Sequence, residues 1–398
     1  MPIARLRSFT GPAVLSYGFR PFFLFGAFYG GLALLAWLPM FEGRFELATS
    51  FSAMDWHIHE MLYGYVAAIV TGFLLTAIPN WTGRLPLNGA LLLVLVLVWA
   101  AGRLAVACSA AIGWAPAAII DVLFLLLVLA AAGREVVAGE NWRNLRVLVI
   151  VALFALANIT FHIEAHVQGE TPYSQRFGLS AVLLLVMLIG GRIVPSFTRN
   201  WLVRENPGRL PAPFDRFDAL SIAAGAIALA AWTAVPDSRV TGGLLIGAGL
   251  LHAARLARWA GDRTTRDPLV LILHIAYAFI PLGFVLAGAT ALGADMPASA
   301  GVHAWSVGAI GAMTLAVMTR ATRGHTGRAL EAPPATQLLY GAVILSAALR
   351  IAAALLPALS QPLLWAAAIA WVAAFWGFCG VYGPMILRPR LTGQEAVR

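Results

Sequence analysis

Apolar residues in this chain fall into long, nearly unbroken runs, and polar residues gather in the short gaps between them. A run of about 20 apolar residues is long enough to cross a bilayer as a helix. Such windows lie near 18–38, 56–79, 87–108, 115–133, 145–164, 176–197, 215–235, 240–259, 268–292, 299–320, 335–356 and 362–387, which predicts twelve membrane-spanning helices. The gaps are punctuated by Pro, Gly and Arg, as membrane loops are. The expected fold class is all-α: a polytopic integral membrane protein, with residues 1–398 forming a single transmembrane domain.

Composition strengthens this picture. Hydrophobic residues make up 60% of the chain and charged residues 11%, against roughly 25% charged in a soluble domain. The formal net charge is +9, and every one of the 27 basic residues is Arg. Most sit between apolar segments, and they form no basic face on a soluble module, so nucleic acid is not an expected partner; membrane lipids are. Twenty arginines, Arg5, Arg7 and Arg398 among them, flank the termini and the loops after even-numbered helices, whereas the opposite side carries Arg44, Arg176 and Arg239. That bias places both termini in the cytoplasm. Arg20, Arg103, Arg192 and Arg350 fall within spans. The basic segment Met1–Thr10 has no small-residue cleavage site, so the run after it is expected to stay as a helix. Neither Cys108 nor Cys379 belongs to a C-x-x-C-H or C-x-x-C motif, which argues against covalent haem and thiolate zinc.

Candidate chemistry begins at Trp56-His57-Ile58-His59-Glu60-Met61, where two imidazoles and a carboxylate open an apolar run. Ionisable groups inside a span are costly and are functional candidates by default. Imidazole is also a common ligand of iron, copper and zinc. On the expected topology, His57, His59, His162, His166 and His303 share one outer layer. His162 and His166 stand i, i+4 on one helix face and can grip one metal. His57 and His59 stand i, i+2 and point apart on a regular helix. Glu60 can orient a ligand imidazole. Asp55, Asp121 and Glu164 lie towards the same face, and Glu60, Asp121 and Glu164 are candidates for supporting ligands or supplying protons. Arg192 is a candidate anion contact, such as for a haem propionate. His252, His274 and His325 lie towards the other face and are expected to be structural.

A weak repeat links the second, sixth and tenth helices. His59 precedes Arg84 by the interval that separates His303 from Arg328, and Gly64 and Gly308 each follow their histidine by five. Three four-helix units are one expectation. The matched positions nominate His59 and His303 as haem-binding residues; the i, i+2 divergence makes His57 the alternative, and His162 and His166 are the expected metal site, for copper or as a second axial position.

Taken together, the motifs resemble the NnrS family. They are Ser16-Tyr17-Gly18-Phe19-Arg20-Pro21-Phe22-Phe23, the Trp56–Met61 signature, Gly72–Gly83, Gly190-Gly191-Arg192 with Pro195, Phe197, Thr198 and Asn200, and Met318-Thr319-Arg320 with Gly324-His325-Thr326-Gly327. The resemblance implies a multi-pass bacterial inner-membrane protein containing non-covalent haem b and copper. It also implies a link to nitric oxide metabolism, denitrification and nitrosative stress. It leaves the chemistry open. The leading expectation is a haem or haem–copper protein that binds or turns over nitric oxide, an oxidoreductase of the nitric oxide reductase kind drawing on a quinol or another electron donor. The alternatives are a permease for a metal, haem or small anion, and a non-catalytic accessory protein of the nitric oxide response.

Overall fold

A bilayer offers no water to exposed backbone groups, so a chain of apolar runs must satisfy its own N–H and C=O groups in helices. The computed structural model describes residues 9–391, and among these every regular element is helical. Arg5, Arg7 and Arg398 lie outside the described residues, as does most of Met1–Thr10. Twelve helices are long and apolar enough to span a membrane: α1 Phe19–Phe41, α2 Ala53–Thr82, α3 Gly89–Ala107, α4 Trp114–Ala138, α5 Trp142–Gln168, α6 Pro172–Glu205, α7 Arg216–Ala234, α8 Arg239–Arg263, α9 Pro268–Ala291, α10 Ser299–His325, α11 Pro334–Leu355 and α12 Pro357–Leu387. The protein is a multi-pass membrane protein.

Most expected windows fall inside these helices; the largest extension is at α6, which runs past 197 to Glu205. Hydropathy marks only the apolar stretch, whereas the hydrogen-bond ladder continues through Thr198, Arg199 and Asn200. Polar residues define several helix starts. Ser52 accepts from the Asp55 amide at the head of α2. Asp215 and Asp218 form a reciprocal capping box at α7. Gly83, at φ 69°, closes α2 in the left-handed region that glycine reaches without strain.

Short 3-10 turns begin α5 and α12 and end α8, and three other helices are π-helical in part. π-helical turns occupy Glu60–Val66 in α2, Val186–Gly190 in α6 and Ala304–Gly311 in α10. These are the helices that the sequence repeat links, and His59 and His303 each stand immediately before their π segment. Such segments are rare and occur frequently at functional sites.

The chain forms two compact units. Among the described residues, the first comprises 9–178, 318–329 and 375–391, and the second 179–317 and 330–374. In the first, α1 packs along α2 through small residues: a Cβ on Gly26 would stand 2.8 Å from Ile69, and one on Gly30 would stand 2.8 Å from Tyr65. Such close backbone approach is a main source of helix association in lipid. In the second unit, α8 meets α9 in the same manner, with Gly242 and Gly288 against each other.

Candidate metal centre

The first unit buries an unusual density of charge where α2, α3, α4 and α5 meet. His59 and Glu60 are fully buried on α2, and Arg103 on α3, Asp121 on α4, and Asn158 and His162 on α5 are nearly so. Arg103 ties the group together. Its Nη1 donates to both oxygens of Glu60 at 2.8 Å, and its Nη2 donates to Asp121 Oδ1. The Tyr29 hydroxyl of α1 donates to Glu60 Oε2. Gly64 makes room for this packing, since a Cβ there would stand 2.7 Å from the Tyr29 ring and 3.0 Å from both Arg103 and Glu60. The π turn leaves the Gly64 carbonyl to the Trp99 indole, which donates to it at 2.9 Å.

The imidazoles face the carboxylates. His59 Nδ1 lies 2.9 Å from Glu60 Oε1, an arrangement that gives Nδ1 the proton and leaves the Nε2 lone pair pointing the other way. Nε2 then meets Asp121 Oδ2 at 3.2 Å and Asn158 Oδ1 at 3.1 Å. The Asn158 amide is oriented by its own donation to Asp121 Oδ2 at 2.8 Å, so an oxygen is what it presents to His59. His162 Nε2 also approaches Asp121 Oδ2, at 3.1 Å. Lone pairs thus converge where hydrogen-bond donors are too few. Ligand atoms from His59, Asp121 and His162 lie within 4.8 Å of one another. Atoms bound about 2.1 Å from one ion at tetrahedral angles stand about 3.4 Å apart, so these spacings suit a single cation.

Charge gives the same answer. With both imidazoles neutral, Glu60 and Asp121 outweigh Arg103 by one negative charge, and a buried charge without compensation is strongly unfavourable. A proton or a metal ion closes that deficit. Two imidazole nitrogens and one carboxylate oxygen form a donor set for a first-row transition ion.

Other candidates from the sequence lie elsewhere. His57 stacks on Trp37 of α1, with centroids 4.0 Å apart, so the i, i+2 pair does point apart. The i, i+4 pair also divides: His162 joins the cluster, while His166 is exposed and stacks on Trp114 at 4.2 Å. Glu164 accepts from the amides of Tyr173 and Ser174 at 3.0 and 2.7 Å and so caps α6. Asp55 accepts from the hydroxyls of Ser52 and Thr171, both at 2.6 Å. His303 and Arg192 belong to the second unit. His303 Nδ1 bonds to the Ser299 carbonyl at 2.6 Å, and Arg192 is half-buried.

Sequence reasoning does not single out Arg103, Asn158 or Tyr29 as site residues. Arg103 carries a signal, because an arginine inside a span needs a partner. So does Asn158, which stands four residues before His162 on the same helix face. Tyr29 has none beyond its place in an aromatic-rich helix.

The NnrS protein family model matches residues 13–390. The chain belongs to the NnrS family. No curated protein matches it. As an NnrS protein its candidate centre is built on the Trp56–Met61 signature, with the other ligands on α4 and α5.

Proposed function

We propose that this NnrS protein is a metal-dependent protein of the bacterial inner membrane that binds or turns over nitric oxide and thereby protects against nitrosative stress. The observation that carries the reading is the convergence of His59 Nε2, His162 Nε2 and Asp121 Oδ2 on one buried point. An ion held there supplies a coordination position to a small neutral molecule. Nitric oxide is small, apolar and membrane-soluble, and it can approach through the rings of Phe51, Tyr63 and Phe161 that surround His59. The chain's own residues do the rest. Glu60 sets the His59 tautomer, Asn158 aligns Asp121, and Arg103 balances the carboxylates. Tyr29 holds a proton at Glu60.

The coordinating atom of His59, Nε2, faces the buried Asn158 Oδ1 at 3.1 Å and Asp121 Oδ2 at 3.2 Å, which leaves room for an ion and not for a macrocycle. His59 therefore fits an ion rather than haem b. His303, with Nδ1 anchored on a backbone carbonyl as in many metal-ligating imidazoles, would be the better residue to hold haem.

Elemental analysis of the purified protein, with nitric oxide uptake followed at an electrode in the presence of a quinol, tests the reading. Wild type should carry a transition metal near one per chain, and His59→Ala should lose it together with nitric oxide uptake. A variant retaining full metal would overturn the centre, whereas metal without uptake would favour an accessory role.

A further inference from the structure

The Ser16–Phe23 and Gly324–Arg328 motifs play no part in the proposed metal centre, yet the first unit brings them together. The His325 ring lies 5.3 Å from that of Tyr17 and 5.5 Å from that of Phe19. Arg20 Nη1 donates to the carbonyls of Ile386 and Arg388, the latter at 2.7 Å, and so draws the end of α12 to the start of α1. The chain after α12 then lies along the Gly324–Arg328 turn: the Leu391 amide donates to the Thr326 carbonyl at 3.0 Å, and Arg390 packs over Gly327.

The result is a concentration of positive charge. Arg20 and Arg323 are buried at 3% and 5% exposure, Arg328 is half-buried, and Arg388 and Arg390 are exposed. Arg20 is close enough to Arg328 to feel its charge, and Arg328 feels those of Arg323 and Arg388. Burial and these two neighbours hold the Arg328 guanidinium below its usual value. Arg20, Arg328, Arg388 and Arg390 form no ion pair with a carboxylate among the described residues. In the same turn, the buried Thr322 hydroxyl has no hydrogen-bond partner among the described residues. Like charges so gathered repel, and no carboxylate among the described residues pairs with Arg20, Arg328, Arg388 or Arg390 to offset the repulsion.

We infer that Arg20, Arg323, Arg328, Arg388 and Arg390 form a binding site for a phosphate group, with the two buried guanidiniums as its floor and the two exposed ones at its mouth. Guanidinium forks match phosphate oxygens, and an anionic phosphate group bridging several arginines reduces the repulsion. A phospholipid headgroup and a soluble phosphate share this chemistry. The site is independent of the metal centre, since it uses none of its ligands.

The test uses full-length protein and the variants Arg388→Gln and Arg390→Gln. Their side chains make no hydrogen bond among the described residues, and the backbone carbonyl that holds Arg20 is unchanged. In one arm, lipid retained from nanodiscs of phosphatidylcholine mixed with phosphatidylglycerol is counted by native mass spectrometry. In the other, thermal unfolding in neutral detergent is followed with pyrophosphate and with chloride at equal ionic strength. Each variant should retain anionic lipid about fivefold more weakly, or should lose the stabilisation by pyrophosphate. Lipid retention alone identifies a headgroup site; a pyrophosphate-specific shift identifies a soluble ligand. Equal responses of wild type and both variants to every probe would overturn the proposal.

Discussion

Each unit of this protein buries an arginine among a carboxylate, a phenol and a histidine, and the two clusters differ in one charge. In the second unit, Arg255 donates to Asp218 at 2.8 Å, to the Tyr277 hydroxyl at 2.8 Å and to the Met187 carbonyl at 3.0 Å. His252 Nδ1 meets that same hydroxyl at 2.9 Å. Asp218 also faces Arg258 at 3.5 Å, and Arg258 pairs with Asp215, so cations and anions balance in this cluster, and the histidine touches a neutral group. In the first unit Arg103 faces two carboxylates, and two imidazoles lean on one of them. Buried ion pairs are close to neutral for stability when complete and costly when broken. The Arg255 cluster is balanced in charge as it stands, although Arg255 Nη2 and His252 Nε2 have no hydrogen-bond partner among the described residues. The Arg103 cluster is complete only with one further positive charge, and that surplus makes it a candidate site rather than a strut.

Breaking the strut should have the largest effect on folding. Asp218→Ala strands a fully buried guanidinium and should cost about 3–5 kcal/mol, read as a fall in the midpoint of chemical unfolding, with metal content per folded chain unchanged. If metal is lost as well, the two clusters are not separate in function. Breaking the site gives the opposite signature. His162→Ala should weaken metal binding about 100-fold or more, since even the loss of a supporting partner costs 10–100-fold. His252→Ala should leave metal content as it is. Competition with a chelator measures both, and equal losses would erase the distinction.

The π segments sharpen the contrast at a smaller scale. A Cβ on Gly64 would meet the Tyr29 ring at 2.7 Å and Arg103 at 3.0 Å, whereas one on Gly190 would first meet Tyr277 at 3.4 Å. Gly64→Ala should therefore cost about 1–3 kcal/mol through overpacking, and Gly190→Ala should cost less in the same thermal assay. The smallest effect concerns the cap outside the membrane. Asp215 hydrogen-bonds to Arg258, which holds its carboxyl down at about 2 from 3.8. A depressed folded value means stability present above 3.8 and lost as the pH falls towards 2. Asp215 is exposed, so solvent screens the interaction and the change should be slight. Asp215→Asn should flatten the stability–pH curve in that window alone; a metal signal that moves with it would tie the cap to the site.

Much of the site is within reach of the sequence, and the remainder is not, for identifiable reasons. His59, Glu60, Asp121 and His162 are all candidates, because ionisable groups inside apolar runs stand out. The rule that i, i+2 residues diverge on a helix anticipates that His57 and His59 part. The i, i+4 rule places His162 and His166 on one face, but that face is wide enough for one to reach Asp121 while the other stacks on Trp114. Arg103 is visible as an arginine inside a span, yet its carboxylate partners lie on helices far apart in the chain.

The sequence by itself determined the twelve crossings and the helical class. Hydrophobic length is a local property, and a bilayer leaves the backbone no other way to satisfy its hydrogen bonds. Only the tertiary structure decided which imidazole meets which carboxylate. That depends on the rotation of each helix about its axis, on the π turn after His59 that re-aims the rest of α2, and on the glycines that let Tyr29 and Arg103 close on Glu60. None of these is encoded in a single run of residues, because each is settled by the packing of one helix against another.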